Sequence, residues 1–546
     1  MTAKMTKYFF DHEFSRIRIF QFARFVRFVI QLFTENRRGF AALGLSGQLF
    51  AVALTGSIFC FSAAASVDAT KGAGPARTYP NIVVFTVDDM DVTSVNCYGN
   101  PLPNLTPNMD RLASQGMRFE YAHVNTPICQ PCRQSMMTGL QPHSNGSFGF
   151  IEVEEGAYPS LSGILMEGGY YTASAGKGRD YKAFPWDEFI EHYGWDEWYG
   201  RKPSAFAATA KKVIGNARAE GKPFYLGINT ADPHRPWPGN EQEKEFVAWV
   251  RKDWPDATDY PKMDLVCSEE DVPLLPYLPD LPDIRKETVQ YLTCVKRADD
   301  SLGAVMKVIE EEGLTDNTLF IFFSDHDAPM PTAKHNCYAH SSVTPLMIRW
   351  PGKIKPGSVD SDHMVSTLDL MPTLLEATGL PIPVKQDGRS MLSILEGGRQ
   401  ERRDAVFTTY NYITPGQQVF PMRAVHTKEW SYVFNPWSDG VKMRLQENGN
   451  PTENQSGLTF AAMQKAALTD PAMAERVDYI LHRSRDEIFD LRKDPYSFDN
   501  LAENPEFATQ LRQMKQLISD EMKRSGDPLI DAFENNTRYP AEWDKR

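Results

Sequence analysis

Asn81-Ile-Val-Val-Phe-Thr-Val-Asp-Asp89 is a short, continuous apolar run that stops at two adjacent acids. A run of that length without polar alternation reads as a strand buried on both faces, as in a parallel sheet. Open α/β sheets place ligands just beyond the carboxyl ends of such strands, which is where Asp88 and Asp89 stand. The pattern recurs twice. Pro223-Phe-Tyr-Leu-Gly-Ile-Asn229 leads to Asp232-Pro-His-Arg235, and Thr318-Leu-Phe-Ile-Phe-Phe323 leads to Ser324-Asp-His-Asp327. Between them, Thr106 to Gly116 reads as a capped helix closed by glycine, and Glu287 to Gly313 as a longer amphipathic one. Strands alternating with helices predict an α/β fold on a large, mostly parallel sheet.

After about Leu380 the texture changes. Short strand-like runs such as Trp430-Ser-Tyr-Val-Phe434 fill Ala405 to Asn435, and Phe507 to Lys523 reads as a final amphipathic helix. A smaller C-terminal α+β domain accounts for them. The expected organisation is a basic arm plus signal or anchor at 1–65, a linker at 66–78, a catalytic domain at 79–385 and a C-terminal subdomain at 386–546.

The N-terminal expectation rests on charge. Residues 1–40 carry eight Lys or Arg and three Asp or Glu, whereas the whole chain of 546 residues has a net charge of −13. An apolar run from about Phe40 to Ala65 follows, ending Ser62-Ala63-Ala64-Ala65-Ser66. Basic arm, apolar run and small-residue cleavage site are the order of a secretory signal. The run is also long enough for an uncleaved anchor. The protein is therefore expected to be exported, periplasmic or secreted, with membrane contact only through this segment if it is not cleaved. The strongly acidic remainder argues against nucleic acid as a partner.

Several residues carry chemistry. Adjacent carboxylates such as Asp88 and Asp89 repel each other and call for a cation or a basic neighbour. Asp325 and His326 stand at the end of another predicted strand, and His234 follows a third. Cys129 and Cys132 form a Cys-x-x-Cys, which fits a redox pair or half of a zinc site. The other cysteines are scattered singly, which disfavours a four-cysteine site.

Cys129-Gln-Pro-Cys-Arg133 also fits Cys-x-Pro-x-Arg, with Met137-Thr-Gly139 downstream. From about Pro80 to Ala502 the chain resembles the formylglycine-dependent sulfatases of the alkaline phosphatase superfamily. Thr138-Gly-Leu-Gln-Pro-His-Ser-Asn-Gly146, Asp232-Pro-His-Arg235 and Asp325-His-Asp-Ala-Pro-Met-Pro331 make it most similar to the heparan N-sulfatase-like branch. The resemblance implies an alkaline phosphatase-like sheet and conversion of Cys129 to formylglycine by a formylglycine-generating enzyme. It implies a metal held by Asp88, Asp89, Asp325, His326 and the modified Cys129. The expected ion is Ca²⁺, ahead of Mg²⁺ or Mn²⁺, although histidine at 326 replaces the family's usual asparagine and softens the site.

Arg133 matches the arginine that steadies formylglycine, and Lys177 and Lys334 match the sulfate-binding lysines. His234 matches the histidine at the leaving group. Arg179 stands where the family often has histidine, and an arginine cannot serve as a base. The implied reaction is hydrolysis of a sulfate ester or sulfamate on a sulfated carbohydrate. One hydroxyl of the aldehyde hydrate attacks sulfur, and the second ejects the sulfate. The rival readings are a phosphoester or phosphonate hydrolase of the same superfamily, a non-catalytic binder of sulfated glycans, and a redox protein.

Overall fold

Eight strands build the main sheet: β1 (Asn81–Asp88), β2 (Met117–Phe119), β3 (Tyr171–Gly176), β4 (Glu188–Ile190), β5 (Phe224–Pro233), β6 (Thr318–Ser324), β7 (Leu346–Arg349) and β8 (Ser358–Asp360). This computed structural model describes residues 79–190, 200–257, 259–411, 419–438 and 457–545. The basic arm, apolar run and linker read from residues 1–78 lie outside them. The strand order is β4-β3-β5-β1-β6-β7-β2-β8. The run β4-β3-β5-β1-β6 is parallel throughout, and β7 is antiparallel to both of its neighbours.

β1 is buried along its whole length. Val83, Phe85 and Val87 enter one apolar cluster, while Ile82 and Val84 enter another. Alternate side chains of a strand point to opposite faces, so a strand that is apolar at every position needs cover on both sides. Seven principal helices are used below: α1 (Pro107–Gln115), α2 (Cys129–Thr138), α3 (Pro203–Ala219), α4 (Glu241–Asp253), α5 (Pro282–Glu311), α6 (Leu370–Thr378) and α7 (Ala508–Ser525). α3 and α5 cover one face through residues such as Phe206, Val213 and Val295. α2 and α6 cover the other through Met136, Met137, Leu370 and Leu374. Each such fully buried side chain is worth about 1.5–3 kcal/mol relative to exposure.

Two boundaries differ from the expectation. α5 begins at Pro282, five residues before Glu287. Proline is tolerated in a first helical turn, and Asp283 favours the helix start. β5 runs past Asn229 to Pro233, which carries buried backbone directly up to His234.

The C-terminal part holds a four-stranded antiparallel sheet: β9 (Val406–Tyr410), β10 (Met422–His426), β11 (Trp430–Phe434) and β12 (Asp486–Asp490). α7 lays Met514, Ile518 and Met522 into its apolar cluster. Ile128 and Tyr338 join the same cluster. Ile128 immediately precedes Cys129, so this small sheet also packs beneath the start of α2. The six described cysteines are all free thiols.

Candidate active site

β1, β3, β5 and β6 are mutually parallel neighbours, so their carboxyl ends share one edge of the sheet. That edge gathers Asp88 and Asp89 from β1, Lys177 after β3, His234 after β5, and Asp325 and His326 after β6. α2 adds Cys129 as its first residue, and all ten of its residues are buried. Pro131 lies in the first turn, where its missing N–H costs no helical bond. Arg133 lies one turn beyond Cys129 and faces the same way.

The backbone is tailored at two points. Gly176 has φ +89°, and a Cβ there would sit 2.0 Å from the Asn229 carbonyl oxygen. Only glycine lets β3 run so close to β5 and then turn Lys177 inward. Asp89 has φ +70°, a left-handed conformation that a non-glycine residue holds only where its surroundings enforce it.

Cys129 Sγ lies 3.2 Å from His326 Nε2 and 3.6 Å from Asp88 Oδ1. His326 Nδ1 is 2.9 Å from the Asp327 carbonyl oxygen, which can only accept. Nδ1 therefore carries the proton, and the Nε2 lone pair faces Cys129. One ligand atom each from Asp88, Asp89, Cys129 and His326 lies within 4.8 Å of the others. The Asp325 carboxylate lies 3.6 Å from His326 Nε2. It also accepts from Arg133 Nε at 2.8 Å.

The cations are close by. Lys334 Nζ donates to Asp89 Oδ1 at 2.7 Å and is fully buried. Lys177 Nζ pairs with Asp88 Oδ2. His234 Nδ1 donates to the Arg235 carbonyl oxygen at 2.6 Å, which leaves Nε2 facing Asp89 Oδ2 at 3.9 Å. The structure thus brings together nine of the ten expected site residues. The Arg179 side chain lies outside what is described.

A family model described as Sulfatase matches residues 80–380. The chain belongs to the sulfatase family. A second model, N-sulphoglucosamine sulphohydrolase, C-terminal, matches residues 332–457. This sulfatase is 28% identical over 460 residues to an ulvan-active sulfatase of Formosa agariphila, covering 82% of this chain and 81% of that one. It is 27% identical over 491 residues to the N-sulphoglucosamine sulphohydrolase of Homo sapiens, covering 84% and 93%. Among solved structures, a protein in complex with its substrate D-glucosamine-2-N,6-O-disulfate superposes with a TM-score of 0.59 at 19% identity, covering 82% of this sulfatase and 98% of that chain. The phosphonate monoester hydrolase of Agrobacterium radiobacter superposes with a TM-score of 0.56 at 18% identity, covering 82% and 96%. Both structural likenesses speak to the alkaline phosphatase-like fold alone.

The electrostatics of the sulfatase's site fit a cation. Burial raises Asp89 to about 6, with Asp88 and Asp325 adding to the rise against Lys334. Its Oδ2 is buried without a hydrogen-bond partner among the described residues. Such an orphaned oxygen in a crowded acidic cluster has a divalent ion as its natural partner. The 4.8 Å spread is about twice a Ca²⁺–oxygen bond of ~2.4 Å, so the donors can surround one ion. Burial also pushes the Cys129 thiol far up, and Asp88 adds to it. A thiol held protonated is a poor nucleophile.

Burial acts on Asp88 as well, but Lys177 and Arg133 outweigh it and hold this carboxyl well below the usual range. Burial and the charge of Lys334 push His234 down, so its ring is neutral at neutral pH.

Several contributors were not legible as site residues. Asn229 accepts from Arg133 at 3.1 Å, and Asp180 lies 3.5 Å from the same guanidinium. The Tyr291 hydroxyl donates to the Asp89 carbonyl at 3.1 Å and accepts from the Asp91 amide at 2.8 Å. Arg201 donates to the carbonyls of His234 and Arg235 at 2.9 and 3.0 Å and pairs with Asp232. Arg297 grips the other side of Asp232 at 2.6 Å. Only Asn229, the last residue of an apolar run, had any sequence signal. Trp237 is core: it is fully buried against Tyr291 and beneath Arg235. Trp186 stacks on Tyr225, and Trp195 and Trp198 lie outside the described residues.

Proposed function

We propose that this sulfatase is exported and hydrolyses a sulfate ester or sulfamate on a carbohydrate, with formylglycine at position 129 and Ca²⁺ held by Asp88, Asp89, residue 129, Asp325 and His326. The observation that carries this reading is the surroundings of Cys129. A buried, protonated thiol stands at a helix start among acids and lysines, where a hydroxyl nucleophile has use and a thiol has none. The relatives that act on N-sulphoglucosamine and on ulvan support a sulfated saccharide as substrate. The charge order of residues 1–65 supports export.

The aldehyde hydrate supplies one hydroxyl to attack sulfur and a second whose ionisation ejects the sulfate. A divalent ion held by Asp88, Asp89, residue 129, Asp325 and His326 would lower the pKa of the attacking hydroxyl and draw charge from a sulfate oxygen. The remaining work falls to the chain's own side chains. Arg133, fully buried between Asp325, Asn229 and Asp88, anchors the Asp88 carboxylate that faces residue 129. Burial works against the charge on Lys334, but Asp89 and Asp88 keep it protonated. With Lys177 it forms a cationic wall for the sulfate oxygens, the electrostatic contribution expected to matter most. His234 has its Nδ1 proton tied to a carbonyl and its Nε2 free. A neutral ring in that pose takes up at Nε2 the proton that the attacking hydroxyl of residue 129 gives up, and passes it to the departing oxygen or nitrogen.

The test has two parts. Mass spectrometry of the tryptic peptide containing residue 129 should show an aldehyde in place of the thiol. Sulfate release from a panel of N- and O-sulfated mono- and disaccharides should then identify the linkage. An active enzyme with an intact Cys129 thiol overturns the mechanism. Turnover of phosphonate esters without sulfate release assigns the chain to the rival hydrolase class.

A further inference from the structure

The two loops that carry the acids of the site carry a second pair of acids two residues further on. β1 ends at Asp88 and its loop continues through Asp89 to Asp91, while β6 ends at Ser324 and continues through Asp325 and His326 to Asp327. β1 and β6 are parallel neighbours, so the loops leave the sheet side by side. The Asp91 and Asp327 carboxyls meet in hydrogen-bond contact. Asp91 is 3% exposed and Asp327 is fully buried.

This pair lacks what the first acids have. Asp88, Asp89 and Asp325 face Lys177, Lys334 and Arg133. Among the described residues no Lys, Arg or His lies in ion-pair range of Asp91 or Asp327. Asp91 Oδ1 accepts from the Thr93 amide at 2.6 Å and from its hydroxyl, and Asp327 Oδ1 accepts from the Ala328 amide at 2.5 Å. Asp327 Oδ2 has no hydrogen-bond partner among the described residues. Two carboxylates in contact inside a protein repel, and a cation makes both charges tolerable. A third oxygen points to the same place independently. Tyr277 is 1% exposed, and its hydroxyl has no described hydrogen-bond partner. Asp327 and Asp91 are the leading charges acting on that hydroxyl. Its ring is packed against His340 and Tyr496, with centroids 5.0 and 6.0 Å away. A phenol left unpaired at that depth costs free energy unless something pairs with its oxygen.

We propose that Asp91, Asp327 and the Tyr277 hydroxyl bind a second, hard divalent cation, which ties together the two loops that carry the ligands of the first. The donors are all oxygen, unlike the first set with its His326 nitrogen, and this favours Mg²⁺ or Ca²⁺. Two carboxylates, with water completing the shell, are a common holding for Mg²⁺. The loops give the ion its use. Asp89 holds its left-handed conformation two residues before Asp91, and the Asp327 carbonyl accepts from His326 Nδ1 at 2.9 Å. Anchoring the Asp91 and Asp327 side chains therefore fixes the pose of a first-site ligand on each loop. The inference needs neither formylglycine nor any particular substrate.

The test counts ions. After chelation, equilibrium dialysis of the wild type against Mg²⁺ or Ca²⁺ should give two ions per chain, and Asp327→Asn should give one. Its Tm in the presence of the ion should fall below that of the wild type. Tyr277→Phe keeps the packed ring and removes only the oxygen. In calorimetric titrations it should weaken one of the two binding events about tenfold and leave the other unchanged. An isotherm that Tyr277→Phe does not alter overturns the proposal. So does a wild type that holds one ion, loses it in Asp88→Asn and keeps it in Asp327→Asn. An ion lost in Asp327→Asn and kept in Asp88→Asn supports the second site even where the first reading fails. If the two carboxyls instead share a proton, Asp327→Asn supplies the same hydrogen bond without the charge. The ion count then stays at its wild-type value, Tm holds or rises, and the proposal fails.

Discussion

His326 is where this site departs in donor chemistry from an all-oxygen cage. Its Nδ1 proton is committed to the Asp327 carbonyl, so Nε2 is the atom offered to an ion. A nitrogen donor tilts a site away from hard Ca²⁺ and toward Mn²⁺. His326→Asn should therefore shift the ratio of Ca²⁺ to Mn²⁺ affinity toward calcium by about tenfold, measured by calorimetry on the metal-free protein. An unchanged ratio would remove His326 from the ligand set. Chelation of the wild type should lower both turnover and Tm, because it leaves the buried carboxylates without their counter-charge. His234 and Arg201 form a second residue-scale pair. Arg201→Met frees the two carbonyls that fix the His234 loop and should lower kcat on the order of tenfold to a hundredfold. KM should change far less, and Arg201→Lys should recover part of the loss. His234→Ala should hurt substrates with poor leaving groups most and an activated aryl sulfate least. Equal losses on both would exclude the ring from leaving-group protonation.

Individual elements explain why some of this was readable in advance. β1, β5 and β6 announce themselves because an unbroken apolar run followed by charge has few other uses, and the run itself dictates burial on both faces. Asp88, Asp89, Asp325 and His234 were legible with them, since each stands just past such a run. The start of α5 was not, because Pro282 interrupts the polar stretch that precedes its apolar face. Nor were Tyr291, Arg201 and Arg297. They reach the site by packing from elements distant in sequence, and a local pattern carries no mark of that. Gly176 belongs at this scale because it controls how β3 meets β5. Gly176→Ala sets a Cβ against the Asn229 carbonyl at a positive φ and should cost about 2 kcal/mol or more. Chemical denaturation would read the loss. The same change moves Lys177, so activity should fall further than stability alone explains.

The whole molecule carries a set of histidines that fold without charge. Burial lowers His123 and His340 to about 3 and drives His426 well below its ordinary value. In the unfolded chain each takes a proton below about pH 6.5, which the native state refuses. Their contribution to stability is therefore complete above about pH 6.5. It declines by about 1.4 kcal/mol per histidine per pH unit as the pH falls toward the native values. Urea midpoints should drop steeply between neutrality and mild acid, and His123→Gln should flatten that slope. A midpoint that stays level to pH 4 would contradict the burial of these rings. One further property follows from the enclosure of α2. Cys129 is 2% exposed, Arg133 is fully buried, and the small C-terminal sheet packs beneath the residue before them. No modifying enzyme can grip that stretch once the last strands have closed over it. With the formylglycine proposed for position 129, the decision between a competent molecule and an inert one would thus be taken before the chain closes, and folding would seal it. A mixed preparation should hold its proportions indefinitely, each molecule a fixed record of the moment at which its chain closed.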